Sequence, residues 1–291
     1  MPDEISMITA FDKVYPPLLT QIHKPPAQLY YRGDISLLTK QNLLAVVGSR
    51  KISMYSRQAM QKLLPPCIRA GVIIVSGMAY GVDSVAHRTC VELGAPTIAV
   101  LGCGIDDASL YPRGNKTLAQ EILRGGGLII SEYAPGTPAY IGQFPARNRI
   151  IAGLCRATLI VQAAKRSGSL ITARLTMESN REVLAIPGPI TDPACEGTNI
   201  LIRDGATPIL ESTDILSLFE LEETKQEDLH YEQLREDLQI IVAVLSASPL
   251  YIDDIALASN TSVAEASAAL LELEMIGAVS NMGGMKYTRS A

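Results

Sequence analysis

Two arginines, Arg147 and Arg149, stand with Asn148 at the mouth of an apolar segment, FPARNRIIAGL (144–154). A guanidinium is costly to bury alone, so such residues either reach solvent or meet an anion. Basic side chains in the first turn of a helix also oppose its dipole, and a phosphate or carboxylate opposite them relieves that conflict. Phe144, one of only three phenylalanines, is either a core residue or a stacking face for a base beside this cluster. A second cluster, KRSGS (165–169), places Lys165 and Arg166 just ahead of Ser167, Gly168 and Ser169, which open the helix LITARLTM. A serine there is an ordinary helix cap, but with two cations beside it the turn also makes a phosphate cradle. In a third, Gly48, Ser49 and Arg50, the arginine is either an exposed charge on a tight turn or a phosphate ligand.

Catalytic chemistry is less well provided. Asp83, Asp106 and Glu132 are available for acid–base work, but their spacing singles out no pair, and carboxylates of this kind more often orient arginines or cap helices. His87 has no nucleophile or metal partner close in sequence. The chain lacks a G-x-S-x-G elbow, a Walker lysine, a P-G-G-x-G-T loop and a G-x-G-x-x-G dinucleotide fingerprint. Gly102, Cys103 and Gly104 make half of that last fingerprint in the wrong place, after a third strand, where a structural turn is the simpler reading. No catalytic residue, cofactor or metal is therefore expected.

The elements that must hold these clusters are legible. Short apolar runs at 43–47, 72–76, 97–101, 128–131, 158–162 and 182–186 have the Val, Ile and Leu content of parallel strands buried on both faces. Segments long enough for crossover helices separate them, which predicts an open, doubly wound α/β sheet. Six polar or glycine-rich stretches follow directly on these strands: 48–53, 76–83, 102–107, 131–136, 163–173 and 187–190. In a parallel sheet they share one rim, at the carboxyl ends of the strands, and together they suit an extended anionic ligand. Ahead of the sheet, residues 1–42 form a proline-rich lead-in that packs on the core 43–219. Behind it an acidic linker, 220–233, leads to three helices and a ribbon over 234–291, the order of a winged helix.

Charge is distributed unevenly. Residues 1–219 carry 21 Lys and Arg against 17 Asp and Glu, a surplus of +4; residues 220–291 carry 4 against 13, or −9. The recognition helix of such a domain, SVAEASAALLELEMIG, has three glutamates and no Lys or Arg, so this domain is expected to bind protein, or to regulate, rather than to grip DNA by itself. Five scattered cysteines without a C-x-x-C pair suit reduced thiols in the cytoplasm, and three distant histidines offer no metal site. No apolar run reaches the length of a membrane span, and the N-terminus does not read as an export signal.

In order along the chain, VVGSRKIS, SGMAYGVDSVAH, VLGCGIDDASLYPRGN, SEYAPGT, FPARNRIIAGL, SGSLITA, EVLAIPG and EGTNILIRDGA resemble the DprA/Smf family of DNA-processing proteins. The resemblance spans about residues 15–219, with a family-like winged helix behind. It implies an extended Rossmann-like, mostly parallel sheet whose rim holds single-stranded DNA, protects it and loads RecA on it during natural transformation. At matching positions it implies phosphate contact by Arg50, with donors from Gly48 and Ser49. Arg147 and Asn148 would line the same pocket, Phe144 would stack on a base, and Lys165 with Ser167, Gly168 and Ser169 would hold the neighbouring phosphate. Gly77 and Gly104 would complete the rim. It further implies a non-enzymatic homodimer joined near residues 174–210, with RecA engaging an overlapping surface.

The chain departs from the family pattern at Ser56, often glycine, and at Gln162, often glutamate. The sterile-alpha-motif-like domain of many members is missing or reduced to the first few dozen residues. The competing reading is a nucleotide-binding or nucleotide-hydrolysing enzyme related to the phosphoribohydrolases, for which the P-G-G-x-G-T loop is wanting.

Overall fold

The computed structural model describes residues 4–223, 234–245, 249–276 and 278–289. The chain divides into two compact units, Met1–Thr224 and Lys225–Ala291. From residue 224 onward, the expected linker lies outside the described residues.

The first unit is built on one sheet. Its strands are β1 (Ser6–Thr9), β2 (Gln28–Gly33), β3 (Leu43–Val47), β4 (Ile73–Ser76), β5 (Thr97–Leu101), β6 (Leu128–Ser131), β7 (Ala157–Ile160), β8 (Glu182–Ala185) and β9 (Thr207–Pro208). They lie in the order β1-β2-β6-β5-β4-β3-β7-β8-β9. β3 to β9 pair in parallel, and β2 runs antiparallel to both β1 and β6. The helices are α1 (Met54–Arg69), α2 (Val82–Glu92), α3 (Lys116–Arg124), α4 (Gln143–Leu154), α5 (Ser169–Glu178), α6 (Glu196–Arg203) and α7 (Ser212–Leu216).

Strand periodicity explains why two layers of helix are needed. Side chains alternate across β3, so Leu43, Ala45 and Val47 enter a core with Ile150, Ile151 and Leu154 of α4. Leu44 and Val46 enter a separate one with Met60 and Leu64 of α1 and Val82 and Ala86 of α2. From β3 the chain steps outward through β4, β5 and β6, then returns to place β7 on the other side of β3. That reversal makes the crevice beyond the carboxyl ends of β3 and β7 the topological switch point, where open α/β sheets bind ligands.

The lead-in contributes more than packing, because β1 and β2 extend the sheet beyond β6. Its Leu19 and Ile22 also fix a close approach at Gly153 of α4, where a Cβ would lie 2.6 Å from the Ile22 side chain. All five cysteines are buried and free. Burial pushes the thiols of Cys67 and Cys90 up to about 12 and that of Cys195 to about 11. Among the described residues, no helix is long and apolar enough to cross a membrane.

The second unit is a winged helix. It comprises α8 (Glu236–Val244), β10 (Leu250–Tyr251), α9 (Ile252–Ala258), α10 (Val263–Met275), β11 (Val279–Gly283) and β12 (Lys286–Arg289). The sheet order is β10-β12-β11, and Leu238, Ile241, Ile255, Leu270 and Leu273 fill its core. A reciprocal Ser262–Glu265 capping box starts α10.

Candidate nucleic-acid interface

At the switch point, the loops after β3, β4 and β7 meet the first two turns of α4 around a cavity of about 520 Å³. Gly48, Ser49, Arg50, Phe144, Arg147, Asn148, Ser167, Gly168 and Ser169 line it, together with Asp83, Tyr111 and Thr172. Of the remaining residues expected at the rim, Gly77 borders an adjoining recess with Tyr80, Tyr111 and Pro112. Lys165 and Gly104 line neither.

The helix carrying the two arginines begins at Gln143, so Phe144 and Pro145 sit in its first turn and the arginines stand one turn deeper than expected. Each arginine meets a different oxygen. Arg149 gives Nη2 to both oxygens of Glu132 at 2.6 Å, so a carboxylate stands opposite it. Arg147 is only 5% exposed and donates from Nη1 to the carbonyls of Gly77 (2.7 Å) and Val100, and from Nε to Asn148 Oδ1 (3.2 Å). It thereby ties α4 to the carboxyl ends of β4 and β5. Two buried carbonyls thus receive a charged donor, among the stronger hydrogen bonds a protein makes.

Asp83 completes this floor. Its Oδ2 accepts from the backbone N–H groups of Gly77 (3.1 Å) and Ala79 (3.3 Å). Burial pushes the carboxyl up to about 6, against the pull of Arg147, of those two donors and of Arg50. Gly77 is therefore not available to a phosphate as expected: its N–H is held by Asp83 and its carbonyl by Arg147. What it supplies is space, since a Cβ there would sit 2.5 Å from the Arg147 guanidinium. Gly104 is likewise committed elsewhere, with its N–H on the Thr137 carbonyl at 2.8 Å.

The Ser49 turn is also closed on itself. Its N–H goes to the Gln162 carbonyl (2.9 Å) and its hydroxyl to the Lys51 carbonyl (2.9 Å), while its own carbonyl accepts from Val82 (3.1 Å). The expected backbone and hydroxyl donors of Ser49 are thus spent inside the protein. Gln162 does more than remove a charge, because its Oε1 accepts from the N–H of Ser53, the N-cap of α1, at 2.9 Å. Gly48 is required by α2, whose Val82 side chain would lie 2.7 Å from a Cβ. Gly81, at φ +81°, adopts a backbone conformation that L side chains rarely take.

Above this floor stands an exposed cation over a ring. Arg50 is exposed, and its guanidinium carbon lies 5.7 Å from the centroid of Phe144. Tyr111 also stands against Phe144, at 5.7 Å between centroids and tilted by 39°. Phe144 is half-buried, so one face packs while another meets the cavity. Tyr80 and Tyr111 went unremarked in the sequence, although the Y-P pair behind GCGIDD was the signal available for the latter.

On the far wall, α5 begins at Ser169 with Gly168, not a serine, at its N-cap. The hydroxyls of Ser167 and Ser169 bond each other at 2.8 Å, and the half-exposed turn faces the cavity. Lys165 stands outside the wall, paired with Glu196 at 3.2 Å; both side chains are well exposed, so this pair is weak and readily exchanged. Among the described residues, no group of His, Cys, Asp and Glu is gathered that could hold a metal ion.

Fold and cavity together define a doubly wound α/β protein with an arginine-bearing, aromatic-edged cavity at its switch point, followed by a winged helix. The chain belongs to the family of DNA recombination-mediator protein A, whose model matches residues 6–220; the DprA winged helix domain matches residues 226–285. It is 43% identical to DNA processing protein DprA of Streptococcus pneumoniae over 72% of each chain, and 35% identical to protein Smf of Escherichia coli over 96% of this chain and 76% of that one. The X-ray structure of the S. pneumoniae protein superposes with a TM-score of 0.69 at 39% identity, covering 76% of each chain. DNA processing protein A of Helicobacter pylori, known for its single-stranded DNA binding mode, superposes with a TM-score of 0.67 at 32% identity. That match covers 76% of this chain and 99% of the other.

Proposed function

We propose that this protein binds single-stranded DNA at the switch-point cavity, protects it, and loads RecA on it during transformation and recombination in the cytoplasm. The observation that carries the reading is the exposed Arg50 over Phe144, facing the serine turn of α5 across one cavity. In this reading Arg50 holds a phosphate, Phe144 offers a ring to a base, and the turn Ser167–Ser169 receives the next phosphate with Lys165 in reserve. Arg147 and Asn148 form the wall behind the strand. In this reading no residue is catalytic, and Asp83, the carboxylate in the cavity wall, serves to hold the backbone N–H groups of Gly77 and Ala79. The proposed homodimer would form near 174–210, which includes the sheet edge at β9 and the exposed Leu210.

Anisotropy of labelled oligo-dT at several salt concentrations tests the site. Arg50→Ala should weaken binding about tenfold or more, as for loss of a charged hydrogen bond, and should reduce the salt slope by about 0.7. Phe144→Ala should cost about 1–3 kcal/mol with the slope unchanged, since stacking releases no counterions. Wild-type protein that ignores oligo-dT but releases free base from nucleoside monophosphates would sink the reading in favour of the nucleotide-hydrolysing one. Acceleration of RecA filament growth on coated single strands tests the loading step.

A further inference from the structure

α10, in the position of a winged helix's recognition helix, is apolar on two opposite faces. One face, Ala266, Ala269, Leu270 and Leu273, is buried in the core of the second unit. The opposite face carries Ala264, Ala268, Leu271 and Met275, all exposed, with Leu271 at 61% and Met275 at 82%. The intervals between these four are four, three and four residues, which is the spacing of a coiled-coil seam with Ala264 and Leu271 at d and Ala268 and Met275 at a. In that register Glu265 and Glu272 fall at e and Glu274 at g, so acidic side chains flank the seam on both sides. Glu272 is steadied by Arg235 at 2.8 Å, while Glu274 is exposed.

We infer that this face docks an amphipathic helix of a second protein, one that carries apolar residues at heptad spacing and Lys or Arg at its flanking positions. Charge selects the occupant. Seam-flanking positions set partner choice in helix pairs; an antiparallel second copy of α10 would set Glu265 against Glu272, and a parallel one would offer Glu272 only Ser267. A duplex would meet the charge of −9 carried by residues 220–291. A basic helix satisfies both the seam and its flanks. The inference rests on the second unit alone and does not depend on the reading of the rim.

The probe is a fluorescent three-heptad peptide with Leu at a and d and Lys at e and g, titrated with the full chain. Saturable binding is expected. Leu271→Gln with Met275→Gln should weaken it at least tenfold while leaving the melting curve and oligo-dT affinity unchanged, because both side chains are outside the core. Glu274→Lys keeps the seam, and should weaken the Lys peptide and strengthen a Glu-flanked counterpart. Three results overturn the inference: a scrambled peptide of the same composition binding equally well; a smaller oligomer in light scattering on changing Leu271 and Met275; or loss of duplex DNA binding on the same change.

Discussion

Replacing Arg147 by Met should lower the stability of the first unit by about 3–5 kcal/mol, the usual cost of removing one partner from a buried charged network. At about 2–4 °C per kcal/mol for a unit of this size, its melting temperature should fall by roughly 6–20 °C. Two carbonyls, on Gly77 and Val100, would lose their donor. Asp83 would lose the cation that opposes its burial. Arg147→Lys should recover little, since one ammonium does not reproduce the planar fork that reaches both strand ends and Asn148. Asp83→Asn added to Arg147→Met should return part of the loss, because the stranded carboxylate is then gone. A calorimetric shift under 2 °C for Arg147→Met, or strict additivity in the double variant, would show that the floor is not tied together as described.

The second large effect concerns acid. His87 is fully buried, and burial with the nearby Arg147 charge holds its imidazole down to about 3. Thr97 Oγ1 donates to the Ile74 carbonyl at 2.7 Å, so it accepts from Nδ1 of His87 at 2.9 Å; Nε2 is left buried without a hydrogen-bond partner. A base depressed in the folded state stabilises above its unfolded value and loses that contribution as pH falls, here from 6.5 toward 3. Asp83 has the opposite sign. Its folded value is raised to about 6 from 3.8, so its contribution is present at low pH and is lost as pH rises between the two.

Each group alone tilts stability by about 1.4 kcal/mol per pH unit, and between pH 4 and 6 the two slopes oppose each other. Asp83→Asn should remove one slope and expose the other, so that the unfolding free energy from urea titration falls steeply from pH 6 to 4, by about 3 kcal/mol more than in the unaltered protein. His87→Leu should do the reverse and gain stability over the same interval. Parallel pH profiles for the unaltered protein and Asp83→Asn would contradict the account.

The runs that became β3 to β8 are readable in the sequence because strands covered on both faces must be apolar at every position. β2 is not readable in that way. QLYYRG owes its place to pairing with β6 and to the cover of the lead-in, which no local pattern records. β9 is two exposed residues extending β8 at the sheet's edge, with nothing in its own composition to mark it. At the site, the clustering of Gly48–Arg50, Phe144–Asn148 and Ser167–Ser169 follows from topology alone, since each group follows a strand or starts a helix at the same end of the sheet.

The division of labour among those residues was hidden for a different reason. Arg147 and Arg149 look alike in the sequence, but one answers to carbonyls and the other to Glu132. A carbonyl acceptor leaves no trace in residue type, and Gly77 and Val100 lie 70 and 47 residues away from Arg147. The engagement of Ser49 and Gly77 is hidden in the sequence for the same reason. Their donors are consumed by partners that only the folded backbone brings near.

The buried cysteines have a practical consequence. Inaccessible thiols with raised pKa values offer almost no thiolate at neutral pH, so none of the five native cysteines competes for a maleimide dye. The native sequence is thus already a background for labelling at a single position. Ile141, 89% exposed at the cavity's edge, is a place for that cysteine, from which a fluorophore would test the proposed arrival of a strand without any native residue first being removed.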